Sequence, residues 1–154
     1  MISRRARRHP AGETARVLAK LCSPWATAAQ GIAAAAVLRA AGRSPVGVAV
    51  APSAADTCAK LLKRATHRRR PGTKRFSRDG HRSFPSSHVA GPAALLTAVW
   101  IESPPRARIA VAIALGGVVA AIGLERLSAA AHWPSDVVAG TALGVLVGGA
   151  LGRL

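Results

Sequence analysis

The side chains best suited to chemistry fall in three short stretches: Lys63–Pro71 (KRATHRRRP), Pro85–His88 (PSSH) and Arg126–Asp136 (RLSAAAHWPSD). Together they offer cations, small hydroxyl residues, two histidines and a carboxylate, the set required to open a phosphate ester. Cleaving such an ester needs fixed positive charge on the phosphoryl oxygens, a nucleophile in line and an acid for the departing alkoxide. Lys63, Arg70 and Arg126 can supply the charge, the arginines through planar forks that match phosphate. Ser86 and Ser87 stand where an apolar segment begins, so a helix start there would aim free backbone N–H groups and the positive dipole end at an anion. His132 precedes Asp136 by four residues, with Pro134 placed as the first residue of a helix. A carboxylate at that spacing can fix the imidazole tautomer and leave the other nitrogen free to attack. His88, beside the anion cradle, is then the general acid.

Those stretches lie at the ends of apolar segments that must position them. Five such segments run approximately over residues 21–41, 45–62, 84–101, 107–124 and 133–151. Each approaches the ~20 residues a spanning helix requires, which predicts an all-α fold, a polytopic membrane helical bundle of about five transmembrane helices. The second segment carries Asp56 and Lys60, spaced to pair on one helix face, with Lys60 able to reach the nearby end. Breakers separate the segments: Gly42-Arg43-Ser44-Pro45, a long basic loop, Ser103-Pro104-Pro105, and the Arg126–His132 link. The chain divides into a basic N-terminal segment, 1–20, and a membrane-embedded domain, 21–154, with a basic active-site loop at 63–85.

Composition supports this division. The chain has 154 residues, half of them hydrophobic and only 3% aromatic, with a formal charge of +16 confined mainly to the N-terminus and one loop. Such charge invites a nucleic-acid reading, but the apolar blocks are too long and too poor in stacking residues, so no nucleic-acid partner is expected. No cleavable leader is read at the N-terminus. Counting Lys and Arg with the N-terminus inside puts 17 of the 22 on the side that holds the basic loop. That asymmetry predicts an inner-membrane protein with its site facing the cytoplasm. Cys22 and Cys58 read as small apolar residues, not as a disulfide. Arg68, Arg69, Lys74, Arg75, Arg78 and Arg82 read as a topology signal with lipid-headgroup contacts. His9, His67 and His81 read as solvated loop residues, and Trp25, Trp100 and Trp133 as interfacial anchors. No metal or cofactor is expected, since His81, His88 and His132 lack the short spacings of a zinc site. Gly140, Gly144 and Gly148 make a close-approach face that could serve packing within the bundle or a homo-oligomer.

The three stretches resemble the signature of the type 2 phosphatidic acid phosphatase superfamily: Lys, six residues, Arg-Pro; then Pro-Ser-Gly-His; then Ser-Arg, five residues, His, three residues, Asp. Lys63 with Arg70-Pro71, Pro85-Ser86-Ser87-His88, and Arg126 with His132 and Asp136 carry the likeness. The resemblance implies a metal-independent lipid phosphatase working through a phosphohistidine. In it His132 is the nucleophile, Asp136 its partner and His88 the acid, with Lys63, Arg70, Ser86, the Ser87 amide and Arg126 on the phosphate. Two positions depart from the pattern. Ser87 stands for the usual Gly, which is tolerable where only its N–H is needed. Glu125 stands for the usual Ser; it could repel phosphate, orient Arg126 by a salt bridge or touch a substrate hydroxyl. The Ala- and Arg-rich composition and the inward-facing site favour a polyprenyl-phosphate sugar phosphate, decaprenylphosphoryl-5-phosphoribose, in cell-wall precursor synthesis. Undecaprenyl diphosphate, phosphatidic acid and phosphatidylglycerophosphate are the alternatives, and a catalytically degenerate membrane adaptor is a further one.

Overall fold

The structure, a computed structural model, describes residues 10–43, 45–71 and 82–154. His9, His81, the N-terminal arginines before Pro10 and the cations Lys74, Arg75 and Arg78 of the basic loop lie outside the described residues. Six helices make up the described chain: α1 Pro10–Leu21, α2 Pro24–Ala40, α3 Val46–Thr66, α4 Ser87–Glu102, α5 Pro105–Ser128 and α6 Pro134–Leu151. The sole extended pairing among the described residues is an isolated antiparallel bridge between Arg69 and Arg82. The fold is an all-α membrane bundle, as expected, with one helix more than the apolar segments predict.

The additional helix is α1. The sequence places residues 10–20 within the basic segment 1–20 because no apolar block covers them, yet their apolar residues share one helical face. Leu18 packs with Val118, Val119 and Val137 around buried Cys22, Val89 and Ile122, while Arg16 and Lys20 fall between. The chain then bends by 59°. Ser23 caps α2, its hydroxyl accepting from the Ala26 N–H at 3.4 Å, and Pro24 fills the first helical position, where a missing N–H is harmless.

By length and apolarity alone, α5 and α6 can each cross a membrane, and α1 with α2 counts as a third, bent span. Helix α4 sits at the centre, packed against α2, α3, α5 and α6. The main core is built from Val48, Ala51, Ala55 and Ala59 of α3 against Ala90, Ala94, Leu95 and Ala98 of α4. Alanines dominate because small side chains let helix backbones approach closely, the main source of packing attraction where no water is expelled. In α3, Asp56 is buried and pairs with Lys60 at 2.6 Å, the i,i+4 contact that the spacing predicts. Both cysteines are free.

Gly140, Gly144 and Gly148 face α4 of the same chain, so of the two uses open to this face the structure displays packing within the bundle and gives no support to a homo-oligomer through it. A Cβ at Gly144 or Gly148 would stand 2.4 Å from the carbonyl oxygen of Ala90 or Ala94, and one at Gly140 would stand 2.5 Å from that of Ser86. The face is consumed inside the bundle. This close approach fixes the start of α4 against the start of α6, and the Ser86 N–H donates to the Asp136 carbonyl at 3.0 Å.

The connectivity gathers four helix ends on one side: α3 ends, α4 begins, α5 ends and α6 begins there. At the opposite side Arg43 donates to the Glu102 carbonyl at 2.8 Å and Gly47 lies against the Leu151 backbone. All three motif stretches therefore reach one end of the bundle.

Candidate active site

Each element brings its residue for a local reason. Lys63 occupies the last turn of α3 and is only 3% exposed; its ammonium donates to the Ser87 hydroxyl at 2.9 Å. The serine that replaces the family pattern's glycine thus supplies an acceptor for Lys63. It is the first residue of α4 and has a helical backbone, where a side chain is no obstacle. Ser86 is the N-cap of α4 and fully buried, and its hydroxyl has no partner within the protein. The first N–H groups of α4 have no intrahelical acceptor by construction, so this end is electropositive.

Beyond α3, His67 takes the left-handed conformation and closes the helix. The chain from Arg68 onward is stitched to the far end of the basic loop, the Ser83 N–H donating to the Arg68 carbonyl at 2.8 Å and the Ser83 hydroxyl to the Arg69 carbonyl at 3.2 Å. Arg70 is carried over His132: its guanidinium donates to the Ala131 carbonyl at 2.9 Å and lies 3.4 Å from His132 Nε2.

Past α5 the link is short. Ala130 adopts a positive φ of 51°, a strained turn for a residue with a Cβ, and the Ala131 N–H returns to the Arg126 carbonyl. His132 follows, 2% exposed. Pro134 begins α6, and Asp136, at its third position and fully buried, accepts the Trp133 N–H through Oδ2 at 2.8 Å. Asp136 therefore caps α6 as well as facing the imidazole. Its Oδ2 stands 3.5 Å from His132 Nδ1, beyond ordinary hydrogen-bond length, so Nδ1 faces the carboxylate and Nε2 faces Arg70.

Burial, then the charges of Arg70, Lys63 and Arg126, push the His132 imidazole down to about 3, with a backbone contact to Ser83 acting weakly the other way. His132 is thereby a neutral base at physiological pH, with a lone pair to use. His88 is half-buried on the first turn of α4, close enough to Arg126, Lys63, His132 and Arg70 for their charges to act on its ring. Arg126, 9% exposed at the end of α5, is held by Glu125 in a two-pronged pair, Nε to Oε2 and Nη2 to Oε1, the latter at 2.6 Å. Of the three fates open to Glu125 in the sequence, the structure displays the salt bridge.

All eight candidate residues thus reach the same end of the bundle. One further residue was missed. Arg68, read as a topology cation, donates to Asp136 Oδ1 at 2.9 Å and to the Ser135 hydroxyl at 2.7 Å, and its guanidinium lies over the Trp133 ring at 5.7 Å. Trp133, read as an interfacial anchor, in turn donates its indole N–H to the Arg69 carbonyl at 3.0 Å. No sequence signal separates Arg68 from its basic neighbours; only the fold brings it to α6. Among the described residues, no group of three His, Cys, Asp or Glu side chains is arranged to hold a metal ion.

A polytopic helical bundle that gathers basic residues, two helix starts and a buried imidazole at one end has the fold of the membrane lipid phosphatases. The chain belongs to the PAP2 superfamily, whose profile matches residues 45–153. That match includes every candidate residue and omits α1 and α2. Among solved structures, the chain is similar to the first transmembrane PAP2-type phosphatidylglycerolphosphate phosphatase from Bacillus subtilis, with a TM-score of 0.79 at 19% identity. The alignment covers 94% of this chain and 77% of the other. It includes helices outside the family match, so the six-helix arrangement is shared at the level of the fold. No curated protein sequence gives a significant match.

Proposed function

We propose that the chain is an integral-membrane phosphatase that removes a phosphomonoester group from a lipid through a phosphohistidine, without a metal ion. The observation that carries this reading is the meeting of Lys63, Arg70, Arg126 and the start of α4 around one neutral, buried imidazole whose far nitrogen faces Asp136.

The chemistry follows from these positions. Phosphoryl oxygens bind to the three cations and the α4 amides, with the Ser86 hydroxyl as a further donor. The Nε2 lone pair of His132 attacks phosphorus, forming the N–P bond as the P–O ester bond breaks. The alkoxide takes a proton from His88, which gains that proton from solvent as the doubly negative phosphate offsets the cations around the ring. Water then attacks the phosphohistidine, giving its proton to His88, and phosphate leaves with His132 regenerated. Asp136 stabilises the positive imidazole that each transfer passes through. The doubly negative phosphate also offsets the positive charge of Arg70, Lys63 and Arg126, which adds to burial in disfavouring a charged His132.

For the substrate, a polyprenyl-phosphate sugar phosphate such as decaprenylphosphoryl-5-phosphoribose is our first choice, supported by the composition and by the cation asymmetry that turns the site toward the cytoplasm of a bacterial inner membrane. Phosphatidylglycerophosphate is the second, favoured by the substrate that names the Bacillus subtilis phosphatase of similar fold. The test is phosphate release by the detergent-purified protein in EDTA across a panel of lipid phosphates, beside His132→Ala. Release that survives EDTA and disappears in the variant supports the mechanism, and the preferred lipid names the pathway. Absence of release from every lipid by the folded protein would favour the adaptor reading.

A further inference from the structure

A site at a membrane face must bind one lipid phosphate while surrounded by many others. Bulk phospholipids are phosphodiesters, whose phosphate carries one negative charge. A phosphomonoester above pH 7 carries close to two, its second pKa lying near 6. Both kinds present oxygens that suit an arginine fork, so recognition of oxygens alone cannot separate them.

Glu125 meets this problem. Its carboxylate holds Nε and Nη2 of Arg126, the edge through which a guanidinium grips phosphate in two-pronged fashion. Both side chains are only 11% exposed, so the pair is shielded from the solvent screening that weakens surface bridges. The two residues are adjacent in sequence, so the carboxylate competes at the high effective concentration of a tethered ligand. The position is the one where the chain departs from the Ser-Arg of the family pattern.

We infer that Glu125 is a specificity-determining residue: a resident anion on Arg126 that singly charged phosphodiester headgroups cannot displace and doubly charged phosphomonoesters can. A phosphodiester arriving at Arg126 exchanges one monoanion for another and must also lose its water. A phosphomonoester brings a second charge to Lys63 and Arg70 as it takes the fork, and Glu125 swings away. The same competition limits how tightly product phosphate is held. This role rests on the phosphatase reading, but it makes its own prediction about binding.

The opposite role, in which Glu125 only orients Arg126, predicts the opposite sign. Without its orienting partner Arg126 binds phosphate less well; without its competitor it binds better. If the pair is closed about nine-tenths of the time, freeing the fork tightens anion binding about tenfold. The experiment uses the full chain in dodecyl maltoside with Glu125→Ser and Glu125→Gln, the second preserving side-chain size should the first unfold. Calorimetry measures binding of inorganic phosphate. Hydrolysis of phosphatidic acid in mixed micelles is measured as phosphatidylglycerol, a singly charged phosphodiester, replaces detergent at constant substrate fraction.

The expected result is about tenfold tighter phosphate binding in both variants. Inhibition by phosphatidylglycerol should be pronounced in the variants and slight in the wild type. Unchanged or weaker phosphate binding in either folded variant overturns the inference, even if the wild type turns over lipid. Tighter binding in the variants with no turnover by the wild type upholds the role of Glu125 on Arg126 and removes the phosphatase reading instead.

Discussion

Gly140→Ala tests whether the contact between α4 and α6 holds the anion cradle in place. The added Cβ would stand 2.5 Å from the Ser86 carbonyl oxygen and 3.3 Å from the Ser86 N and C atoms. Ordinary contact begins at 3.4 Å, so the start of α4 and the start of α6 must separate by about 0.9 Å. Neither neighbour is a flexible side-chain tip; both are backbone. Overpacking of this kind costs roughly 1–3 kcal/mol. The displaced atoms belong to the N-cap that presents Ser86, Ser87 and His88, and a misplacement of about 1 Å can lower turnover by up to about 100-fold. Gly148→Ala is the control. Its Cβ would meet the Ala94 carbonyl oxygen at 2.4 Å, the Thr97 Cβ at 2.9 Å and the Ala94 Cα at 3.0 Å, a tighter clash two helical turns away from the site, about 12 Å along α6. Melting temperature in detergent should fall in both variants, and at least as far in Gly148→Ala. Phosphate release should fall at least tenfold further in Gly140→Ala. Equal losses of activity in the two, or a Gly140→Ala protein as stable and active as the wild type, would refute the claim that this contact sets the cradle.

Two other outcomes are expected. Arg68→Ala, which strips a cation from Asp136 Oδ1, should lower kcat/KM by about 10–100-fold, as loss of a supporting partner commonly does, with Arg68→Lys recovering part of it; full activity in Arg68→Ala would return this residue to a headgroup or topology role. The His132 imidazole, down at about 3 in the fold against 6.5 unfolded, binds fewer protons folded than unfolded between those values. Stability from this residue is therefore complete above about pH 6.5 and lost as pH falls toward about 3, by up to about 1.4 kcal/mol per unit. Unfolding of the wild type beside His132→Asn from pH 4 to 8 checks it: the wild type should lose ground to the variant on acidification, and parallel curves would contradict the low value.

Much of this arrangement was readable from residue order, and what was not readable has physical causes. Long apolar blocks announce α2 to α6 because a membrane helix must present apolar side chains over its length. Helix α1 escaped because its apolar residues are interleaved with Arg16 and Lys20, giving a face and not a block. The eight motif residues could be placed together because each lies at the end of a segment, and alternating helix directions send those ends to one side. Arg68 could not be singled out: a lysine- and arginine-rich loop has many side chains of the same kind, and which one meets Asp136 is decided by how the loop folds back over α6. The glycine face was ambiguous for a different reason. A surface suited to close backbone approach is the same whether the partner is α4 or a second copy, and only the assembled bundle shows that α4 fills it.

Helix α5 gives the lipid bilayer a part in the site. It has 24 residues and buries only Ile122, Gly123 and Arg126, all near its C-terminal end. At 1.5 Å per residue it is about 36 Å long, against about 27 Å for α6 and about 24 Å for α4, while a typical hydrocarbon core is about 30 Å thick. Hydrophobic mismatch makes the longest helix tilt or bow. Its first turn is tied to α4, where Arg108 donates to the Ser103 and Ile101 carbonyls, and its buried residues lie in its last turns. The helix is thus held at both ends, and lipid bears on the exposed length between them. Membrane thickness thereby becomes a mechanical load on the turn that carries Glu125 and Arg126, the guanidinium that grips phosphate.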